Sequence, residues 1–111
     1  MKYSHADYVP TIKAMSDETR LKVIDMLSCG EMCACSLLEG LSISQPTLSY
    51  HMKILTESGL VNAKRDGAWM RYTLNQERTD DILAFLKHIT NEKENCICKN
   101  CQKQKSTNKC R

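Results

Sequence analysis

The chain has 111 residues, 41% hydrophobic and 26% charged, with a formal net charge of +3. That length supports one domain with a modest core, to which an interface with a second copy would add buried surface. No apolar run approaches the roughly 18 residues of a membrane span, and Met1-Lys2-Tyr3-Ser4-His5-Ala6-Asp7 lacks a signal-like apolar stretch, so a cytoplasmic protein without a membrane partner is expected.

Tyr8, Ile12 and Met15 recur at helical spacing and predict a first helix over about Ala6 to Ser16, with Pro10 in its early turns. Asp17 reads as the N-cap of a second helix, Glu18 to about Ser28, which points Leu21, Ile24 and Leu27 inward and ends at Gly30. A third, shorter helix runs through Cys35, Leu37, Leu38 and Leu41, and Gly40-Leu41-Ser42-Ile43 supplies a turn. Ser44 caps a fourth helix, about Gln45 to Ser58, with Pro46 in its first turn. That helix buries Leu48, Met52 and Leu55 and shows a polar face. Leu60 to Arg65 and Trp69 to Leu74 read as two strands joined at Asp66-Gly67. A final helix from about Thr79 to Thr90 carries Ile82, Phe85, Leu86 and Ile89 on one side.

This order is mainly α with a small β-hairpin, a winged helix-turn-helix. Residues 1–91 read as its DNA-binding and dimerisation domain, and residues 92–111 as a flexible basic tail rich in cysteine. The tail holds six cations against Glu92 and Glu94, so the first 91 residues are slightly acidic. A nucleic-acid surface must therefore be local. On the fourth helix Gln45, Thr47, Ser49 and Tyr50 suit base edges or phosphates, while Lys53, and Lys64, Arg65 and Arg71 on the hairpin, suit phosphates. His51 fits either a DNA contact or a structural role against the core. Surplus apolar residues on the terminal helices suggest a homodimer, whose two recognition helices would match an inverted-repeat operator in double-stranded DNA with half-sites about one turn apart.

Seven cysteines in a cytosolic chain predict mostly reduced thiols, with metal binding or redox chemistry ahead of a disulfide framework. They form two groups: Cys29, Cys33 and Cys35, then Cys96, Cys98, Cys101 and Cys110. Thiolates favour As(III), Sb(III) and soft divalent ions such as Cd²⁺ and Pb²⁺, whereas Zn²⁺ usually takes four ligands. Residues i and i+2 of a regular helix point about 200° apart, so ligation by Cys33 and Cys35 together is expected to bend the helix start. Cys96, Cys98 and Cys101 could hold As(III) alone, lend a thiol to the first pair, or join Cys110 in a four-thiolate site. No cysteine has Arg six positions later, so the phosphate loop of a cysteine-based reductase is missing, and no βαβ scaffold surrounds Cys98-Lys99-Asn100-Cys101. An enzyme is not expected.

The stretch Leu27-Ser28-Cys29-Gly30-Glu31-Met32-Cys33-Ala34-Cys35-Ser36-Leu37-Leu38 resembles the metal-binding motif of the ArsR family of arsenical-resistance repressors. Ser44-Gln45-Pro46-Thr47-Leu48-Ser49-Tyr50-His51-Met52 is similar to that family's recognition helix, and the likeness spans about residues 8 to 90. The resemblance implies a homodimeric repressor that leaves its operator on binding As(III) or Sb(III). Many family members add a third thiol where this chain has Leu38, which leaves the third ligand open among Cys29, the tail and an external thiol. Cadmium and lead sensors of the superfamily often use N-terminal cysteines, absent here, and the spacing of Asp80, Asp81, His88 and Glu92 does not match zinc sensors well. A divalent-metal sensor and a thiol redox sensor are the alternatives.

Overall fold

The computed structural model describes residues 4–91, so the tail and its cysteines lie outside the described residues. The elements are α1 (His5–Met15), α2 (Glu18–Leu27), β1 (Met32–Cys33), α3 (Ala34–Leu41), α4 (Gln45–Glu57), β2 (Val61–Asp66), β3 (Trp69–Leu74) and α5 (Gln76–Thr90). Three of the helix starts are fixed by side-chain oxygens. Asp17, Ser44 and Asn75 accept backbone N–H bonds from Arg20, Thr47 and Arg78, which satisfies donors that a helix start leaves unpaired.

Helices α2, α3 and α4 enclose the core with the sheet. Val23, Leu27, Leu37, Leu48, Met52, Leu55, Leu60, Val61 and Tyr72 are buried in one cluster that also takes Ala14 of α1. Burial of each such leucine contributes about 1.5–3 kcal/mol. On α2 the inward positions are Val23 and Leu27, while Leu21, expected inside, is 49% exposed. The helix phase is set by Val23, which is fully buried in the core, and this turns Leu21 outward.

The strands form an antiparallel sheet in the order β1-β3-β2. β2 and β3 make the expected hairpin, with Gly67-Ala68 between the strands and Gly67 at φ 65°, a conformation that glycine adopts without strain. β1 was not expected. Its two residues pair with β3 as Met32↔Tyr72 and Cys33↔Arg71. Directly opposite residues share a sheet face, so Met32 lies inward with buried Tyr72, and Cys33 shares the outer face with Arg71.

The turn before α4 also differs from expectation. Gly40 and Leu41 belong to α3, and Ser42 takes the left-handed conformation at φ 56°, its N–H bonded to Leu38 O. A Cβ at Gly40 would stand 2.6 Å from Met26 Cε, the flexible end of that side chain, which would have to shift to make room. At the far end, α1 packs on α5. Tyr8 stacks on Phe85 with ring centroids 4.0 Å apart, and its hydroxyl donates to the Asp81 carboxylate at 3.1 Å. Ile82 and Phe85 are buried, whereas Leu86 and Ile89, expected on the same side, are partly exposed and Leu83 is 63% exposed. No helix among the described residues is long and apolar enough to cross a membrane.

Candidate nucleic-acid interface and thiol site

The α4 surface is built by its own burial pattern. Leu48, Met52 and Leu55 turn inward, which leaves Gln45, Thr47, Ser49, Tyr50 and Lys53 exposed on the opposite side. Tyr50 is 61% exposed, so its ring and hydroxyl are open to a partner. Beside this face, a cleft of about 260 Å³ separates α4 from the hairpin and is lined by Ser49, Lys53, Thr56, Ala63, Met70 and Tyr72. The hairpin carries Lys64 and Arg65 on β2 and Arg71 on β3. Lys64 and Arg71 are directly opposed across the strands, and Arg65 bonds Gly67 O at 3.5 Å. Arg71 Nε donates to Asp66 at 2.7 Å, a hydrogen bond that holds its guanidinium charged and in place.

His51 does not join that surface. It is buried, 8% exposed, and its Nδ1 lies 3.0 Å from Arg20 Nη1. Guanidinium nitrogens only donate, so Nδ1 accepts and the ring proton belongs on Nε2. Arg20 also donates through Nε to Ala14 O at 2.6 Å. One side chain thus fastens α4 to the end of α1 and the start of α2, and of the two roles open to His51 the structural one fits this geometry. The Asp17 carboxylate is 3.8 Å from Nδ1, too far for a hydrogen bond. Arg20 was not singled out in the sequence, although it sits three residues after the capping aspartate, where its backbone and side chain can both be used.

The thiol site begins one residue before α3. Cys33 is the N-cap, and its Sγ accepts the N–H of Ser36 at 3.4 Å. Cys35 lies in the first turn, and the two are joined as a disulfide with Cα atoms 5.3 Å apart. Two expectations are corrected here. The pair is bonded rather than reduced, and Cys33 is extended and outside α3, so the two residues do not share one regular helix. Cys29 is exposed and unbonded. Among the described residues no three Cys, His, Asp or Glu side chains gather into a metal-holding group. Leu38 is half-buried against the core. Cys96, Cys98 and Cys101 fall outside the described residues.

A capped polar helix facing outward, the turn that precedes it and a cationic hairpin beside it define a winged helix-turn-helix DNA-binding regulator. The model of the bacterial regulatory proteins of the arsR family matches residues 17–63. The chain is 45% identical over 97 residues to an arsenical resistance operon repressor of Staphylococcus aureus, covering 87% of this chain and 93% of the relative. It is 37% identical over 89 residues to one of Escherichia coli, covering 79% and 73%. Among solved structures, HlyU of Vibrio cholerae superposes with a TM-score of 0.67 at 31% identity, over 81% of this chain and 98% of that one. An ArsR family transcriptional regulator, RHA00566, gives 0.72 at 22% identity over 79% and 91%, a likeness of fold alone. The chain belongs to the arsR family.

Proposed function

We propose that the protein is a homodimeric repressor that binds an inverted-repeat operator through α4 and the hairpin and releases it when As(III) or Sb(III) is bound by Cys33 and Cys35. The observation that carries this reading is the convergence of the two sulfurs at the N-cap of α3, the helix that leads through Ser42 into α4. Once the pair is reduced, both thiols face one ion, and backbone N–H groups at the helix start favour their thiolate forms. Bonding to a metalloid would compete with the Cys33 Sγ bond to Ser36 N–H and strain the β1 pairing with β3, which carries Arg71. Ligand and DNA then prefer different positions of α3, α4 and the hairpin, so each weakens the other equally. The names of the arsenical repressors among its relatives support the metalloid as inducer.

Dimerisation through α1 and α5 is supported by the exposed apolar residues Val9, Leu83, Leu86 and Ile89 on those helices. With that architecture the protein would work in the cytoplasm, without an organic cofactor. A second reading, a thiol redox sensor, is favoured by the disulfide itself. Fluorescence anisotropy of the reduced full chain on DNA from upstream of its own gene separates the readings. Arsenite should release the DNA, and a coupling of about 3 kcal/mol corresponds to more than a hundredfold loss of affinity. Release by Cd²⁺ or Pb²⁺ at lower concentration than arsenite would assign a divalent-metal sensor, and release by peroxide alone a redox sensor.

A further inference from the structure

The Cys33–Cys35 pair supplies two thiols, and As(III) takes three. Cys29 is not gathered to the pair, and the position where a third thiol would follow is the core-packed Leu38. The neighbourhood of the pair is charged: Arg71 and Lys64 stand beside two carboxylates, Asp66, which is bonded to Arg71, and Glu31, whose charge also acts on Arg71. Cys33 is directly opposite Arg71 across β1 and β3, and Arg71 is directly opposite Lys64 across β3 and β2. Cys33, Arg71 and Lys64 therefore form one row on the outer face of the sheet. Arg71 is held by Asp66, while Lys64 has no ion pair among the described residues. Strands lie about 4.8 Å apart, so Lys64 begins about 10 Å from Cys33, within the combined reach of a lysine side chain and a small mercapto-acid.

Resting on the metalloid reading above, we propose that the third ligand is a small external thiol bearing carboxylate, whose negative charge is received by Lys64 and Arg71. The chemistry balances with that thiol alone. Two molecules of it reduce the Cys33–Cys35 disulfide, leaving as their own disulfide and giving two protein thiols. Arsenous acid then loses three hydroxyls as water, each taking the proton of one thiol, and As–S bonds form to Cys33, Cys35 and the small thiol. No net oxidation of arsenic occurs. The arrangement has a consequence for release: Lys64 and Arg71 are two cations offered to DNA phosphates, and the bound mercapto-acid occupies and neutralises them. Inducer and DNA compete for the same charges, in addition to any movement of α3.

The test is an arsenite titration of the full-length chain with Cys29, Cys96, Cys98, Cys101 and Cys110 changed to Ser, followed by thiolate–arsenic ultraviolet absorbance. It is run in excess mercaptosuccinate, 2-mercaptoethanol or cysteamine, which carry negative, zero and positive charge. Arsenite should bind about tenfold more tightly with mercaptosuccinate than with cysteamine, as expected for exposed charge pairs. Lys64→Ala should shrink that ratio, and Lys64→Glu should reverse it. Equal affinity with all three thiols overturns the proposal and leaves the Cys33–Cys35 inducer site standing. No arsenite binding with any thiol overturns both. Should the multiple variant fold poorly, native mass spectrometry of the wild-type chain decides: one arsenic retained with one mercaptosuccinate supports the mixed complex, and arsenic retained with no small thiol overturns it.

Discussion

Arg20 and His51 show how little a recognition-helix residue's type says about its role. His51 lies next to Tyr50 on α4, yet it is buried and tied to Arg20, which also holds Ala14 O. Removing the imidazole takes one partner from a half-buried guanidinium, so His51→Ala should cost about 1 kcal/mol in a urea denaturation. Gln at the same place keeps an acceptor and should recover part of the loss. Unchanged stability in the Ala variant would contradict the latch. Asp17 adds a pH dependence beside it. Its carboxylate accepts the Arg20 N–H, which holds its pKa below the ordinary carboxylate value. A carboxyl depressed by folding stabilises fully above its unfolded pKa, near 3.9, and that contribution is lost as the pH falls through the lower folded value. Asp17→Asn should therefore flatten the fall in denaturation midpoint below about pH 4. Neither Arg20 bond was legible in the sequence: the His51 contact joins residues 31 apart, and the Ala14 contact depends on how α1 meets α2.

At the scale of the element, helices with a polar cap and an apolar stripe were readable. Ser44 with Pro46 marked α4, and its inward Leu48, Met52 and Leu55 followed from spacing alone. The polar face that carries Gln45, Thr47, Ser49, Tyr50 and Lys53 is the complement of that stripe, so it was legible too. β1 was not: two residues have no periodicity, and Met32–Cys33 is a strand only because β3 offers it an edge. Gly40 misled for a related reason, since a glycine inside a helix looks in sequence like a glycine in a turn. The real turn residue is Ser42 at φ 56°. Ser42→Gly should stabilise the chain by up to about 1 kcal/mol, because glycine adopts the left-handed region without penalty. A destabilised Ser42→Gly variant in thermal denaturation would show that the turn depends on the serine side chain.

At the scale of the molecule, the core ends before the apolar surface does. Leu83, Leu86 and Ile89 on α5, with Val9 on α1, remain open in the single chain while Tyr8, Phe85 and Asp81 bind the two helices together. A second copy covering them would fix the separation of two α4 helices. Leu83→Glu with Leu86→Glu should then give a monomer in analytical ultracentrifugation with operator affinity reduced by at least tenfold. A double variant that still sediments as a dimer would place the interface elsewhere. The existence of two terminal apolar helices was legible from the spacing of their apolar residues. Their exposure was not, since it depends on where the small core closes.

The measurement that bears most directly on the account compares operator release by arsenite in two variants of the reduced chain, read by anisotropy. One has Cys33→Ser with Cys35→Ser, and the other has Cys96, Cys98, Cys101 and Cys110 changed to Ser. Serine is a good N-cap, so the first variant should keep α3 and bind operator with wild-type affinity while losing its response to arsenite. The tail variant should still release. Full release from the Cys33→Ser, Cys35→Ser variant would contradict the account and move the inducing site to the tail.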